Sequence, residues 1–239
     1  MRTLMVLCAG NRMRNNVPLC LNYHPDGTLL AKKAIEGIFP ETYDRIIYVI
    51  TKKNNKLYEM GKQILGSLRE FLNVEVIELE KETTGPADTV YCAVQNSGLT
   101  GELVIRDSLN YIRMNENQTG NFITGLDVTK FQEEVFKIRT KSFIVINEQN
   151  QVLDIIEKKL RSDVISVGTY GFNSVNDFVM AYERLSDPNY SVKTMYLSHV
   201  ISYLIGYKNR VFHCEEVDEH EDWGSEESWL YLQRKYGVS

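Results

Sequence analysis

The sequence predicts an α/β protein with a mostly parallel sheet flanked by helices and an added β-rich second half. The apolar run 4–8 does not alternate with polar residues and therefore predicts a strand buried on both faces. Residues 45–50 predict a second buried strand, and residues 74–79 a third strand. Helical periodicity separates these runs, which is the order expected of a Rossmann-like sheet with right-handed crossovers. Beyond residue 120, shorter β-rich segments joined by polar turns indicate antiparallel or mixed pairing beside the parallel part.

The first half contains the elements that would carry a ligand site. A short extended piece is expected at Pro18-Leu19-Cys20-Leu21, and helices follow from two sets of apolar residues at helical spacing: Leu29, Leu30, Ala34, Ile35 and Ile38, ended by Pro40, and Leu57, Met60, Ile64, Leu68 and Phe71. A polar loop at 80–88 opens another helix. A fourth strand, 102–105, ends in Arg106-Asp107-Ser108, and ligands in open α/β sheets bind beyond such strand ends.

The second half mixes strands with helices. Its predicted elements are strands at 121–128, 135–147, 152–157, 163–172 and 210–215, helices near 175–185 and 196–206, a loop at 217–225, and a last helix that turns Trp229 and Leu232 inward. No internal repeat or linker divides the chain, so we expect one domain spanning residues 1–239.

Composition excludes several classes of protein. The formal net charge of -5 over 239 residues leaves no broadly basic surface for nucleic acid. No run of about eighteen apolar residues exists, so we expect no membrane span and a cytoplasmic location. The four cysteines show no C-x-x-C spacing, which leaves zinc and redox motifs unsupported. Apolar positions on the C-terminal helices could support a homo-oligomer.

The turn after the first strand is the first candidate ligand site. Ala9-Gly10 breaks the apolar run, and such a turn can aim backbone N–H groups at an anion. Arg12 and Arg14 add fixed positive charge with donors shaped for phosphate oxygens. The turn therefore indicates a nucleotide phosphate site, although most strand–glycine–helix turns bind nothing.

Taken in order, these segments resemble the sugar-phosphate nucleotidyltransferase family over nearly the whole chain. The opening L-x-A-G, arginine and proline segment is similar to Leu7-Cys8-Ala9-Gly10, Arg14 and Pro18 here. Further similar segments are Gly85-Pro86-Ala87-Asp88 for the base-contacting loop, Arg106-Asp107 for the strand-end metal residue, Glu157-Lys158-Lys159 for the acceptor segment, Ser166-Val167-Gly168-Thr169-Tyr170-Gly171-Phe172 for the N-A-G-x-Y-x-F strand, and Asp222-Trp223-Gly224-Ser225 for the W-x-D-x-G-T metal corner.

The resemblance implies a fold of the nucleotide-diphospho-sugar transferase type and a set of site residues. Residues 1–110 would form the nucleotide-binding half and 111–239 the acceptor-binding half. Mg²⁺ would be held by Asp107 and Asp222, with Arg14 as a catalytic clamp on the triphosphate. Nucleotide contacts are expected from Leu7, Ala9, Gly10, Asn11, Arg12, Arg14, Gly85, Ala87, Asp88 and Arg106, and acceptor contacts from Glu157, Lys158 and Gly168.

Each of these assignments has a purely structural alternative. Asp107 could cap a turn at the strand end, and Asp222 could be one carboxylate of the acidic run 215–227. Arg14 could form a surface ion pair, Glu157-Lys158 could be an exposed pair on a strand, and Gly85 could serve only the turn.

Two departures from the family pattern refine the functional hypothesis. The lysine that follows the first proline in the family is Leu19 here, and Arg12, Arg106, Lys32 or Lys33 could replace its charge. The opening loop is also poor in glycine. Both features resemble an outlying branch that activates phosphorylated non-sugars, such as phosphocholine or phosphoglutamine, with CTP.

The resulting hypothesis is a nucleotidyltransferase that joins an NMP, with CMP favoured, to a phosphorylated small-molecule acceptor and releases pyrophosphate. A role in surface or capsular polysaccharide precursor synthesis would follow. One alternative is a nucleotide-sugar-dependent glycosyltransferase, although Arg106-Asp107-Ser108-Leu109 lacks the usual second aspartate. Another is a non-catalytic nucleotide-binding regulator. A dehydrogenase is disfavoured because no G-x-G-x-x-G follows the first strand.

Overall fold

The computed structural model describes residues 1–130, 138–189 and 194–238. Its strands are β1 (Arg2–Leu7), β2 (Met13–Arg14), β3 (Val17–Pro18), β4 (Arg45–Thr51), β5 (Val74–Leu79), β6 (Glu102–Asp107), β7 (Asn110–Arg113), β8 (Phe122–Asp127), β9 (Ser142–Ile146), β10 (Val152–Glu157), β11 (Val164–Phe172), β12 (His213–Glu216) and β13 (Glu219–Asp222). Its α-helices are α1 (Leu30–Lys33), α2 (Lys52–Tyr58), α3 (Met60–Ser67), α4 (Pro86–Ser97), α5 (Val175–Leu185), α6 (Leu197–Lys208) and α7 (Glu226–Lys235).

The main sheet joins both halves of the chain. Its order is β10-β9-β11-β6-β1-β4-β5, with β8 paired to β11 and β12 paired to β8. Strands β6, β1, β4 and β5 are mutually parallel, as the apolar runs predicted. Strand β11 then runs antiparallel to β6, with Thr169 opposite Arg106, so the mixed second half continues the parallel sheet.

A small separate sheet brings the C-terminal region back to the parallel strands. Strand β13 pairs antiparallel with β7, and Asp222 lies opposite Asn110, three residues after the end of β6. The sequence predicted a loop here because the acidic residues of β13 show no apolar alternation. The segment is held as a strand by its partner, with His220 opposite the buried Ile112.

Several local elements differ from the sequence expectation. Leu19–Leu21 forms a 3₁₀ turn with three buried side chains instead of an extended piece. The helix expected over 57–71 is split into α2 and α3 because Glu59 adopts φ 48°, a left-handed conformation that interrupts the helix. Strand β6 continues through Asp107. Of the strand expected over 135–147, residues 135–137 lie outside the described residues, and β9 begins at Ser142.

The core lies on both faces of the sheet because successive side chains of a strand point to opposite faces. In β1, Met5 packs into the cluster that contains α4, α5 and α6, whereas Leu4 and Val6 pack into the cluster on the other face. A third, smaller cluster joins Leu19 to Trp223 and Trp229, and so anchors the C-terminal helix beside the first loop. No helix within the described ranges is long and apolar enough to cross a membrane.

Candidate active site

A cavity of about 990 Å³ opens at the carboxyl ends of β1 and β6. This edge of a parallel sheet is where ligands bind in open α/β proteins. The last residue of each strand, Leu7 and Asp107, lines the cavity. The predicted site residues that the structure brings to its wall are Leu7, Ala9, Gly10, Asn11, Arg12, Gly85, Asp107, Glu157, Lys158, Gly168 and Asp222.

Asp107 is held in place by its own turn and by β11. Its carboxylate accepts a hydrogen bond from the backbone N–H of Leu109 at 2.9 Å, which is the turn-capping role considered from the sequence. Asp107 also lines the cavity. Burial raises the pKa of Asp107 above its usual range, and the positive charges of Arg106 and Lys141 offset only part of that shift.

Asp222, at the end of β13, lies in the same cavity. Its carboxylate accepts hydrogen bonds from the Nζ of Lys141 and, at 2.7 Å, from the backbone N–H of Gly224. Burial raises the pKa of Asp222, but Lys141, His220 and the backbone N–H of Gly224 together outweigh burial and leave the pKa below its ordinary value. The negative charge of Asp222 in turn raises the pKa of Asp107, which places the two carboxylates within electrostatic range of one another.

These two carboxylates suit Mg²⁺. No group of three or more metal-ligating side chains occurs in the part of the chain that the structure describes. Mg²⁺ does not require such a cage, since it is typically held by one or two carboxylates together with phosphate oxygens and water. The mutual repulsion of Asp107 and Asp222, now relieved by Lys141, would be relieved further by a divalent cation. The donor set therefore fits a magnesium ion shared with a nucleotide.

The two arginines of the first loop bind the backbone beside Asp222. Arg12 lines the cavity, and its Nη1 donates a hydrogen bond of 2.6 Å to the carbonyl of Gly224. Arg14 does not line the cavity. Its Nη2 donates to the carbonyl of Trp223 at 3.0 Å, and its guanidinium lies 4.3 Å from the ring centre of Trp229. Its buried Nη1 has no hydrogen-bond partner among the described residues. Both arginines thus connect the nucleotide loop to the predicted metal corner.

Arg106 is not brought to the cavity, contrary to the expected nucleotide contact. Its side chain is fully buried and donates to the carbonyls of Ala34, Val167 and Asn110 at 2.8, 3.1 and 2.6 Å. Burial lowers the pKa of Arg106 to about 10. The guanidinium therefore joins the C-terminal end of α1 to β7 and β11 through their backbone carbonyls.

The predicted base-contacting loop divides between cavity and core. Gly85 lines the cavity at the start of α4, together with Thr83 and Thr84. Ala87 is instead fully buried in the core. Asp88 accepts hydrogen bonds from the backbone N–H of Thr84 at 2.8 Å and from the hydroxyl of Tyr182 at 2.9 Å. It therefore stabilises the loop but does not line the cavity.

The far end of the cavity is rich in hydroxyl groups that the sequence did not indicate. Glu157 accepts hydrogen bonds from Ser142 at 2.5 Å and Ser198 at 2.7 Å. Lys158 donates to the hydroxyl of Tyr196 and lies 3.3 Å from the Glu157 carboxylate. Ser142, Tyr196 and Ser198 belong to no motif, and the pairing of β9 with β10 and the packing of α6 on β10 bring them together.

The residues considered as substitutes for the missing lysine are mostly engaged elsewhere. Lys32 pairs with Glu70 at 2.5 Å, and Lys33 pairs with Asp26 at 2.7 Å. Neither lines the cavity. Lys141, which does line it, was missed because it precedes β9 in a segment with no recognisable motif.

Several solved structures have the same fold as this chain. A nucleoside-diphosphate-sugar pyrophosphorylase from Vibrio cholerae RC9 superposes with a TM-score of 0.75 at 17% identity, over 96% of this chain and 99% of that one. The chain has the same fold as this structure. An inositol-1-phosphate CTP transferase from T. maritima superposes with a TM-score of 0.70 at 15% identity, over 100% of this chain and 98% of that one. A UDP-glucose pyrophosphorylase complexed with UDP-glucose superposes with a TM-score of 0.75 at 12% identity, over 99% of this chain and 98% of that one.

The likeness to these nucleotidyltransferase structures extends over the full chain, including the mixed part of the sheet. It confirms the α/β class and the mostly parallel sheet expected from the sequence. No family model and no curated protein sequence matches the chain. At these identities the likeness shows the fold alone.

Proposed function

We propose that this protein is a nucleotidyltransferase that joins an NMP to a phosphorylated small-molecule acceptor. An acceptor phosphate oxygen attacks the α-phosphorus of a nucleoside triphosphate, the bond to the bridging oxygen breaks, and pyrophosphate leaves with that oxygen. The observation that carries the proposal is the convergence of Asp107, Asp222 and the first loop on one cavity. In such transfers the protein mainly positions the groups and offsets negative charge.

Different residues along the cavity would bind the triphosphate and the metal ion. The backbone of Ala9 and Gly10 and the side chain of Arg12 face the triphosphate end. Arg14, expected from the sequence as a clamp on the triphosphate, does not line the cavity and would act through the loop that it anchors to the carbonyl of Trp223. Asp107 and Asp222 would hold Mg²⁺, which supplies electrostatic stabilisation to the phosphate oxygens when bound.

The acceptor would enter from the hydroxyl-rich end. Lys158 is the cation there, and its contact with Tyr196 holds it beside the cavity. Glu157, fixed by Ser142 and Ser198, offers a carboxylate to polar groups of the acceptor. Gly168 lines the cavity next to Asp107, and its lack of a side chain lets β11 pass close to that residue; an acceptor contact would come from its backbone.

CTP is the favoured nucleotide, and a phosphorylated precursor of a surface or capsular polysaccharide is the proposed context. One full-length structural neighbour is described as an inositol-1-phosphate CTP transferase, which supports this choice alongside the sequence resemblance. Leu19 in place of the family lysine keeps the non-catalytic regulator as a second candidate.

The first experiment is a thermal-shift panel of CTP, UTP, GTP, ATP and dTTP with Mg²⁺. A ligand at 100 times its Kd should add about 2.7 kcal/mol of stability. Pyrophosphate release with phosphocholine, sugar 1-phosphates and inositol 1-phosphate then separates the candidates. Pyrophosphate supports the proposal, whereas free nucleoside diphosphate from a nucleotide sugar indicates a glycosyltransferase. Nucleotide binding without turnover of any acceptor indicates a regulator.

A further inference from the structure

Lys141 lines the cavity, and its ammonium group contacts the carboxylate of Asp222. Its Nζ donates to the carboxylate of Asp222, and its side chain is 21% exposed. The backbone carbonyl of Lys141 accepts a hydrogen bond from the backbone N–H of Lys158 at 3.2 Å, which fixes the start of β9 against the end of β10. A rigid backbone anchor therefore presents a flexible cationic side chain to the site.

Few cationic side chains reach the cavity in the part of the chain that the structure describes. Leu19 is buried in the cluster with Trp223 and Trp229, so its side chain contributes to the core. Among the described residues, the cationic side chains that line the cavity are Arg12, Lys141 and Lys158. Arg12 is hydrogen-bonded to Gly224, and Lys158 lies against Tyr196 at the hydroxyl-rich end. Lys141 is the one of these three that contacts a predicted metal ligand.

We propose that Lys141 supplies the cationic contact to the reacting phosphates that position 19 does not provide. The inference rests on the proposed nucleotidyl transfer. In the structure Lys141 holds Asp222; with a nucleotide bound, its N–H groups turn to the phosphate oxygens and Asp222 is released. A lysine suits this exchange because its ammonium is a compact charge with three donors on a flexible stem.

The competing explanation is that Lys141 only neutralises Asp222. The two explanations differ in what happens when Asp222 is removed. If Lys141 binds phosphate, Asp222→Asn frees the ammonium, and phosphate binding without metal becomes tighter. If Lys141 serves Asp222 alone, removing the lysine as well changes nothing further.

The test is calorimetric binding of CTP and of inorganic pyrophosphate in EDTA to four proteins: wild type, Lys141→Met, Asp222→Asn and the double variant. We expect Asp222→Asn to bind both ligands more tightly than wild type, and the double variant to bind about tenfold or more weakly than Asp222→Asn, which is the cost of one charge-assisted hydrogen bond. Equal affinities of Asp222→Asn and the double variant would overturn the inference. Thermal unfolding checks that each variant is folded, and the double variant contains no unpaired Asp222 carboxylate.

A kinetic measurement with saturating Mg²⁺ separates this inference from the proposed function. Pyrophosphate release should fall about 10²-fold in Lys141→Met, and Lys141→Arg should recover part of it because the charge is restored. Unchanged release by Lys141→Met shows that the transferase proposal stands and the role of Lys141 is wrong. If wild type binds no nucleotide and releases no pyrophosphate, both proposals fail together.

Discussion

Gly168 lies directly against Asp107: a β-carbon built at position 168 would be 2.7 Å from the β-carbon of Asp107. Gly168 also adopts φ +84°, which a residue with a side chain rarely occupies. The glycine therefore meets two separate requirements, one of backbone conformation and one of space beside the carboxylate. Strand β11 uses it to approach the end of β6 closely.

Gly168→Ala should reduce pyrophosphate release by about tenfold or more, because the new methyl group displaces Asp107 from a geometry in which a shift of about 1 Å is costly. It should also destabilise the fold by about 1–2 kcal/mol through backbone strain. The matched control is Gly27→Ala. Gly27 has a similar φ of +89° with no atom within 4 Å of the added carbon, so strain occurs there without contact. Equal activity of the two variants in a steady-state assay would refute the positioning role.

Asp107→Asn and Asp222→Asn should each lower pyrophosphate release by about 10²–10³-fold while the protein stays folded. Each substitution removes the charge of a residue that lines the cavity and would hold the cation. Glu148→Gln, in an exposed turn, is the control for loss of a carboxylate remote from the cavity. Titration of Mn²⁺ in the presence of CTP provides a second readout. Near-normal turnover by both aspartate variants would contradict the metal assignment.

Arg14→Lys should cost about 1–2 kcal/mol of unfolding free energy, since a lysine loses both the stacking on Trp229 and the planar donors. Arg12→Lys should stay within about 0.5 kcal/mol, because Arg12 is exposed and contacts one carbonyl. Urea denaturation of both variants measures the difference. The reverse order of stabilities would mean that Arg14 does not anchor the corner at Trp223.

Acid should weaken the contact between Asp26 and Lys33, which are 2.7 Å apart. Burial raises the pKa of Asp26, but hydrogen bonds from Lys33 and Thr28 outweigh it and hold the pKa well below its usual range. A carboxyl group whose pKa is lowered by folding stabilises the protein above its unfolded pKa, about 3.9, and loses that contribution as pH falls further.

Asp26→Asn should therefore be about 1–2 kcal/mol less stable than wild type at pH 7, and the gap should narrow as pH falls below about 4, without closing by pH 2 because the folded-state pKa lies lower still. Urea titrations across this range measure the gap, with Glu148→Gln as the control carboxylate. A gap that stays constant down to pH 2 would show that Asp26 does not contribute through its charge.

The sequence was sufficient for the parallel half of the fold because its strands have apolar centres and are separated by segments with helical periodicity. Strands β4 and β5 begin where the hydrophobic pattern begins, and α4 starts at the predicted loop with Pro86 in its first turn. Glu59 shows where local pattern fails. The apolar spacing continues across it, but a left-handed residue divides the helix, and no single residue type signals that conformation.

For the site, the residue types that follow the strand ends could be predicted from local pattern. Asp107 and the Ala9-Gly10 turn were found because each follows an apolar run. Which of these groups meet depends on strand pairing between distant parts of the chain. The pairing of β13 with β7 brings Asp222 to the end of β6, and the pairing of β9 with β10 brings Lys141 beside it.

Arg106 lies in the core and not in the site, because its side chain donates to carbonyl groups of Ala34, Val167 and Asn110. A side chain at a strand end can turn toward the cavity or into the core, and its position in the sequence is identical in both cases. The choice depends on partners far away in the chain, because a buried charge is stable only where distant elements supply its hydrogen bonds. Local pattern therefore determines the elements, and non-local pairing determines the chemistry that they hold together.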